Sequence, residues 1–266
     1  MEIQSSTLRS KLVRFNSANR KKDPVYGYTS SNFRLDFNMN IPDLIKVHSI
    51  VMKSCSIPNT QYNINSNNNS FEFLIGGGPT PTSTSIFVPV GNYTIDELIN
   101  ELTGSGAGTF YGMQIVIEFP SGKLNFTFNT TVQLLNAEQG NSMANVLGLL
   151  LNSGPITTYT ADSLPNLTGL QNIYIVSQTL SGGTGMIDST LNQLPVFGHV
   201  NMNVPFGQYL HYTTNEEQQD EVFFPSDRTI GEVDLSLYND RGQIIDLQGL
   251  DWSMIAKIYY HVTSQN

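Results

Sequence analysis

Short runs of strictly alternating apolar and polar residues, closed by proline, glycine or asparagine, constrain this chain more than any other feature. Val233, Leu235 and Leu237 alternate with Glu232, Asp234 and Ser236; Phe33, Leu35, Phe37 and Met39 alternate with Arg34, Asp36 and Asn38. A period of two puts one set on each face of a pleated strand. Ile115, Ile117 and Phe119 precede Pro120-Ser121-Gly122-Lys123, and Leu124, Phe126 and Phe128 follow it, which predicts a hairpin. Asn239-Asp240-Arg241-Gly242 predicts a second turn, with Gly242 free to adopt the left-handed conformation. Val47–Ile57 is apolar on both faces and reads as a strand covered twice. Further strands are expected at 71–75, 173–178, 196–203, 209–214, 221–224 and 254–262. About ten strands with turn residues between them argue for an antiparallel sandwich or barrel. Residues 33–39 and 254–262 are expected to share one sheet.

Two short helices interrupt the pattern. Thr94 is an N-cap, Glu97 completes a capping box, and Ile95, Leu98, Ile99 and Leu102 form one apolar face. Met143, Val146, Leu147 and Leu150 predict a second helix. Both lie within residues 76–170, a loop-rich stretch that opens on Gly76-Gly77-Gly78-Pro79 and reads as an elaboration on the main domain. No repeat of fixed period is present.

Only 13% of the 266 residues are charged, against about 25% in average soluble domains. Such a composition suits broad polar surfaces packed against neighbours. The charge is also segregated. Arg9, Lys11, Arg14, Arg20, Lys21 and Lys22 face only Glu2 within residues 1–22, a net of +5, and the remainder carries 7 − 21 = −14. Residues 1–30 lack a sustained apolar period and read as a basic N-terminal arm, either a solvated terminus or an interaction tail for nucleic acid, membrane lipid or an acidic face of a neighbour; Leu8, Leu12, Val13 and Phe15 allow a short docked element within it. No apolar segment resembles a signal peptide or a membrane span. Cys55 is the single cysteine, lies in an apolar run, and reads as a small buried side chain. The sequons at Asn68, Asn92, Asn125, Asn129 and Asn166 follow from abundant asparagine.

Patterns that carry chemistry are sparse. The glycine clusters at 76–78, 104–108 and 182–185 lack the lysine of a phosphate loop. His48, His199, His211 and His261 are scattered and read as polar strand-face residues, though two of them can converge across a sheet. Glu216, Glu217, Asp220 and Glu221 read as an exposed acidic loop, or as a cation site at a subunit contact. Tyr209, Tyr212, Phe223 and Phe224 fit a core, or a carbohydrate- or nucleotide-binding face. No catalytic constellation, metal site or cofactor site is identified.

The stretch Val233 to Ile258, with its turn at Asn239–Gly242 and the run Asp246-Leu247-Gln248-Gly249-Leu250-Asp251-Trp252-Ser253, resembles the C-terminal part of the penton (minor capsid, vertex) proteins of virophages and polinton-like viruses. Ser56–Ile64 and Val90–Leu98 share in the resemblance; residues 134–170 do not. The resemblance implies an all-β fold, a single jelly-roll β-sandwich over 31–266 with the insertion at about 76–170. It implies a homopentamer at a capsid vertex beside hexon-type major capsid subunits, in a virion assembled in the host cytoplasm, with no enzyme activity, cofactor or small-molecule substrate. The order Asp240-Arg241-Gly242 departs from the Arg-Gly-Asp adhesion loop of some penton bases, so integrin-type attachment is not implied. Within the motif, Asp246 and Asp251 are expected to cap backbone N–H groups, and Trp252 to lock the final strand. Two other classes fit the composition: a jelly-roll carbohydrate-binding or host-attachment module, and a hydrolase on a β scaffold.

Overall fold

The alternating runs become strands: Phe33, Leu35, Val233, Leu235, Leu237, Leu124, Phe126 and Phe128 face a core, whereas Ile117 and Phe119 are exposed, and Phe37 and Met39 lie outside the described residues. The structure is a computed structural model that describes all residues except 1–5, 22–24, 26, 37–45, 77–79, 136–141, 151, 182–185, 188–192, 215–220, 241 and 264–266. In chain order the strands are β1 (Ser6–Asn16), β2 (Asn32–Asp36), β3 (Val47–Pro58), β4 (Ser70–Ile75) and β5 (Thr82–Phe87). Helices α1 (Ile95–Gly104) and α2 (Gly106–Phe110) follow, then β6 (Gln114–Ile117), β7 (Leu124–Leu134), β8 (Ile156–Thr160) and β9 (Asn172–Val176). The chain closes with β10 (Met186–Ile187), β11 (Gln193–Leu194), β12 (Val196–Asn201), β13 (Tyr209–Thr213), β14 (Glu221–Arg228), β15 (Glu232–Tyr238) and β16 (Ser253–Thr263).

The chain divides into two compact units, 1–61 with 170–266, and 62–169. The first is the jelly roll. One sheet has the order β1-β16-β3-β13, with β14 continuing beside β3 after β13; the other has the order β12-β9-β15-β2, and every pairing is antiparallel. Taking β13 and β14 as one interrupted strand, the chain visits the sheets in the alternation of an eight-stranded jelly roll. Val13, Phe15, Ile50, Met254, Ala256 and Ile258 from the first sheet meet Phe33, Leu35, Ile175, Val200, Val233 and Leu235 from the second in one buried cluster. The Asp234 carboxylate secures the turn after β9. Burial opposes its ionisation, but the Thr179 hydroxyl and the N–H groups of Gln178 and Thr179 donate to it and hold its pKa below the ordinary value.

Two expectations are corrected here. Residues 6–16 are not a free arm: β1 pairs with β16 along its whole length, from Ser6 opposite Thr263 to Asn16 opposite Ser253. Residues 33–36 do not share a sheet with the final strand; β2 pairs with β15 in the opposite sheet. The terminal partner of β16 is therefore β1. Its pattern is masked because only Val13 and Phe15 are buried, while Arg9 and Lys11 occupy the same face nearer the chain start. Charged residues on the inward face of an edge strand discourage unwanted edge pairing.

The second unit, 62–169, starts at Tyr62 rather than at 76. Its sheet runs β5-β4-β7-β6, with β8 also beside β7. The 120–123 turn joins β6 and β7 with Ile117 opposite Leu124. The Thr94–Glu97 capping box forms in both directions, and Leu98 and Leu102 of α1 are fully buried in a separate core with Phe71, Phe73, Phe126 and Leu147. The Thr94 N–H and hydroxyl, which both donate to Glu97, hold that carboxyl below its usual range. A second helix does form, but at 106–110 rather than at 143–150. Residues 144–148 make turns, because Gly148 adopts a φ of +81° that no helix continues. Met143, Val146 and Leu147 are buried all the same, whereas Leu150 is 52% exposed. A Cβ on Gly148 would lie 2.3 Å from the Ser163 carbonyl oxygen. Gly148→Ala is therefore expected to destabilise this unit by at least about 1–3 kcal/mol, from backbone strain alone. A thermal melt within error of the parent protein would contradict that contact.

Candidate functional site

The C-terminal run Asp246–Ser253 is a clasp that ties the start of the chain to its last strand. Trp252 begins the clasp. It is buried, its indole Nε1–H donates to the Ser30 carbonyl at 2.8 Å, and its ring stands edge-on to Phe33 with centroids 6.0 Å apart. Its backbone N–H donates to Ser17 Oγ at 2.9 Å, and its carbonyl accepts from Ser17 N at 3.0 Å. Asp251 Oδ1 accepts from Ser17 Oγ at 2.7 Å and from Arg20 Nη1 at 2.8 Å. Asp246 Oδ1 accepts from the Gln248 N–H, which lets Gln248 hold a φ of +51°; the Asp246 carbonyl accepts from the Thr60 hydroxyl. A short polar run thus joins the two chain ends: Asp251 satisfies the buried Ser17 hydroxyl, and the exposed Asp246 fixes the turn at Gln248.

The six cations of the basic terminus separate into distinct environments. Arg20 is held by Asp251 and by the Ser17 carbonyl. Lys21 bridges Asp36 at 2.6 Å and Glu232 at 2.9 Å, and hydrogen bonds to these two carboxylates, Asp36 first, raise its pKa. Lys22 lies outside the described residues. Arg9, Lys11 and Arg14 are exposed on β1 and make no ion pair among the described residues. Three cations are thus free to meet a partner, and two are spent on the fold.

The outward face of the five-stranded sheet carries exposed apolar side chains among its polar ones. Leu8 and Leu12 of β1 are 51% and 62% exposed, Phe223 of β14 is 57% exposed, and Tyr209 of β13 is 41% exposed. A shallow hollow on this sheet is lined by Arg14, Ser54, Ser56, His211, Ser253 and Ile255. Cys55, beneath it, is buried, and desolvation pushes its thiol up to about 12, so it is chemically quiet. The aromatics taken as core or face divide: Phe224 is buried with the Arg228 guanidinium 3.8 Å above its ring, Tyr212 packs on the core, and Tyr209 and Phe223 face outward. Glu216, Glu217 and Asp220 lie outside the described residues; Glu221 accepts a hydrogen bond from Ser49.

Two of the scattered histidines do converge. His48 on β3 and His261 on β16 bracket Asp227 on β14, with His261 Nδ1 2.7 Å and His48 Nδ1 3.5 Å from its carboxylate oxygens. The hydrogen bond from His261, ahead of that from His48, holds the Asp227 carboxyl below its usual range. Sequence spacing gives no sign of this cluster, because its members sit on three strands joined only by the sheet. His199 lies against Tyr174, and His211 against Tyr209.

The strand order defines the fold: an eight-stranded jelly roll with a second compact unit inserted between β3 and β9. No family model matches the chain, and no curated protein matches it. Among solved structures it is similar to the crystal structure of the mavirus penton protein, with a TM-score of 0.56 at 12% identity over 96% of this chain and 100% of that one. A chain of the Sputnik virophage, solved by cryo-electron microscopy, aligns with a TM-score of 0.43 at 11% identity over 97% and 98% of the two chains. The shared fold extends across both units and not the jelly roll alone.

Proposed function

We propose that this protein is a structural subunit of an icosahedral capsid, and that five copies close a ring at the vertex. The observation that carries the reading is the whole-length likeness in fold to the mavirus penton protein, insertion included. The outward sheet face supports it. Exposed Leu8, Leu12, Tyr209 and Phe223 make a surface that a lone soluble domain would gain by covering. A ring needs a heterologous contact, one patch against a different patch of the next copy. The neighbours outside the ring are major capsid subunits of the hexon type, and the location is the virion, with assembly in the host cytoplasm. Arg9, Lys11 and Arg14 contact an acidic neighbouring subunit rather than the genome, since the rest of the chain carries −14. No reaction is assigned.

Electron microscopy and sedimentation of the purified protein test the reading. Five-fold rings are the expected result, and Leu12→Asp with Phe223→Asp should shift them toward monomer without lowering the melting temperature. A protein that stays monomeric at every concentration, alone and with the shell subunits, overturns the capsid role. Glycan binding by that monomer would favour an attachment module.

A further inference from the structure

We propose that His48, Asp227 and His261 form a binding site for one borderline divalent metal ion, zinc(II) before others. The ligand atoms offered by the three side chains all lie within 4.8 Å of one another, the one such cluster among the described residues. Zinc bonds of about 2.0–2.1 Å at tetrahedral angles place donors about 3.4 Å apart. His48 Nδ1 and Asp227 Oδ1 stand at 3.5 Å already, and the imidazole centroids are 5.1 Å apart. The closer His261–Asp227 contact, 2.7 Å, is a hydrogen bond whose proton the metal would replace, with the donors then moving apart by about 0.7 Å to the tetrahedral spacing.

The sheet is built irregularly where the site lies. The β14–β3 register slips between Phe223 and Arg228, and the β16–β3 register slips between Tyr259 and Tyr260. Such bulges re-aim side chains. Here they turn residues of three neighbouring strands toward one point on the outward face. Each ligand is partly exposed, with 27–37% of the side chain open to solvent, so an ion can enter and release its water. Phe223, whose ring is 5.9 Å from His48, gives the site one apolar wall.

The donor set decides the metal. Two imidazoles and one carboxylate suit zinc, copper or nickel, whereas calcium and magnesium require oxygen. Three protein ligands leave one position for water. A bound ion would staple β3, β14 and β16 where their ladder is broken. The proposal concerns this chain alone and holds whether or not the protein forms rings.

The test uses the untagged full chain, stripped with a chelator and titrated with zinc chloride by calorimetry. One equivalent should bind, with magnesium chloride silent at the same concentrations. Loss of an outer-sphere partner alone weakens metal sites about 10–100-fold, so His261→Ala should cost at least about 100-fold, and Asp227→Ala a similar factor. His211→Ala, on the same sheet but outside the cluster, should bind as the parent does. Should His261→Ala fold poorly, His48→Gln carries the same test. Cobalt(II) added to the parent protein should give the intense visible bands of a tetrahedral site. Absence of stoichiometric zinc binding, parent-like binding by the ligand variants, or a weak octahedral cobalt spectrum each overturns the proposal.

Discussion

Deleting residues 1–16 is expected to abolish cooperative folding of the jelly roll. The segment has the composition of a solvated basic tail, yet it supplies a complete edge strand. Eleven positions of β1 lie opposite β16. Val13 and Phe15 are 6% and 1% exposed and sit in the core shared by both sheets. Burial of each such side chain contributes about 1.5–3 kcal/mol. The ladder adds about 0.5–1.5 kcal/mol per hydrogen bond lost to water. Their removal also opens one flank of Met254, Ala256 and Ile258, all fully buried in the intact protein. The sum rivals the whole stability of a domain, about 5–15 kcal/mol. Trp252 is the single tryptophan and belongs to this unit, so its fluorescence reports on the jelly roll alone. The truncated chain should show red-shifted emission without denaturant. A parent-like melt would mean that β1 docks without contributing to the fold. Charge and fold separate in a second protein, Arg9→Ser with Lys11→Ser and Arg14→Ser. Its melting should shift little, since exposed substitutions usually stay within about 0.5 kcal/mol each, while any loss of ring or shell assembly would assign the cations to contacts.

The terminus shows where sequence pattern stops being informative. Strand β15 is legible because it has one buried face and neighbours on both sides, so alternation runs its full length, and β16 is legible through its β-branched and aromatic residues. β1 is an edge strand whose first half extends past the core, and its inward positions there need no apolar residue. Composition alone therefore reads as disorder. The same reasoning explains the mistaken sheet partner. Clean alternation in β2 says that one face is buried but not which strand lies alongside; β2 and β16 lie in opposite sheets around one core instead. In the 143–150 run the burial of Met143, Leu147 and Leu149 follows from their apolarity, but Gly148 decides the backbone with its positive φ, at a point where the Ser163 carbonyl leaves no room for a Cβ. The His48–Asp227–His261 cluster lies further still from the reach of spacing. It depends on two register slips that exist only in the assembled sheet.

The clasp was legible as a motif, and its energetics can be measured through Trp252→Ala, expected to cost about 5 kcal/mol. Truncating a buried tryptophan costs about 3–5 kcal/mol in transfer and cavity terms. The indole has a second role: its N–H is the donor to Ser30 O, which burial would leave unpaired at a further cost of about 1–3 kcal/mol. Trp252→Phe separates the two. Phenylalanine keeps most of the packing on Phe33 but no donor, so it should lose about 2 kcal/mol. For a chain of this size each kcal/mol moves the melting temperature by about 2–4 °C, so the alanine variant should melt at least about 10 °C lower and the phenylalanine variant about 4–8 °C lower. Circular dichroism must follow both melts, since the fluorescent reporter is gone. Arg20→Ala offers the contrast. It removes a partly exposed ion pair with Asp251, worth about 0–1 kcal/mol, while Ser17 continues to hold that carboxylate. Equal losses from Arg20→Ala and Trp252→Ala would mean that the clasp is electrostatic. The expected order, with alanine at 252 far the worse, means that the indole seats the first strand against the last and that the polar residues around it fix its orientation.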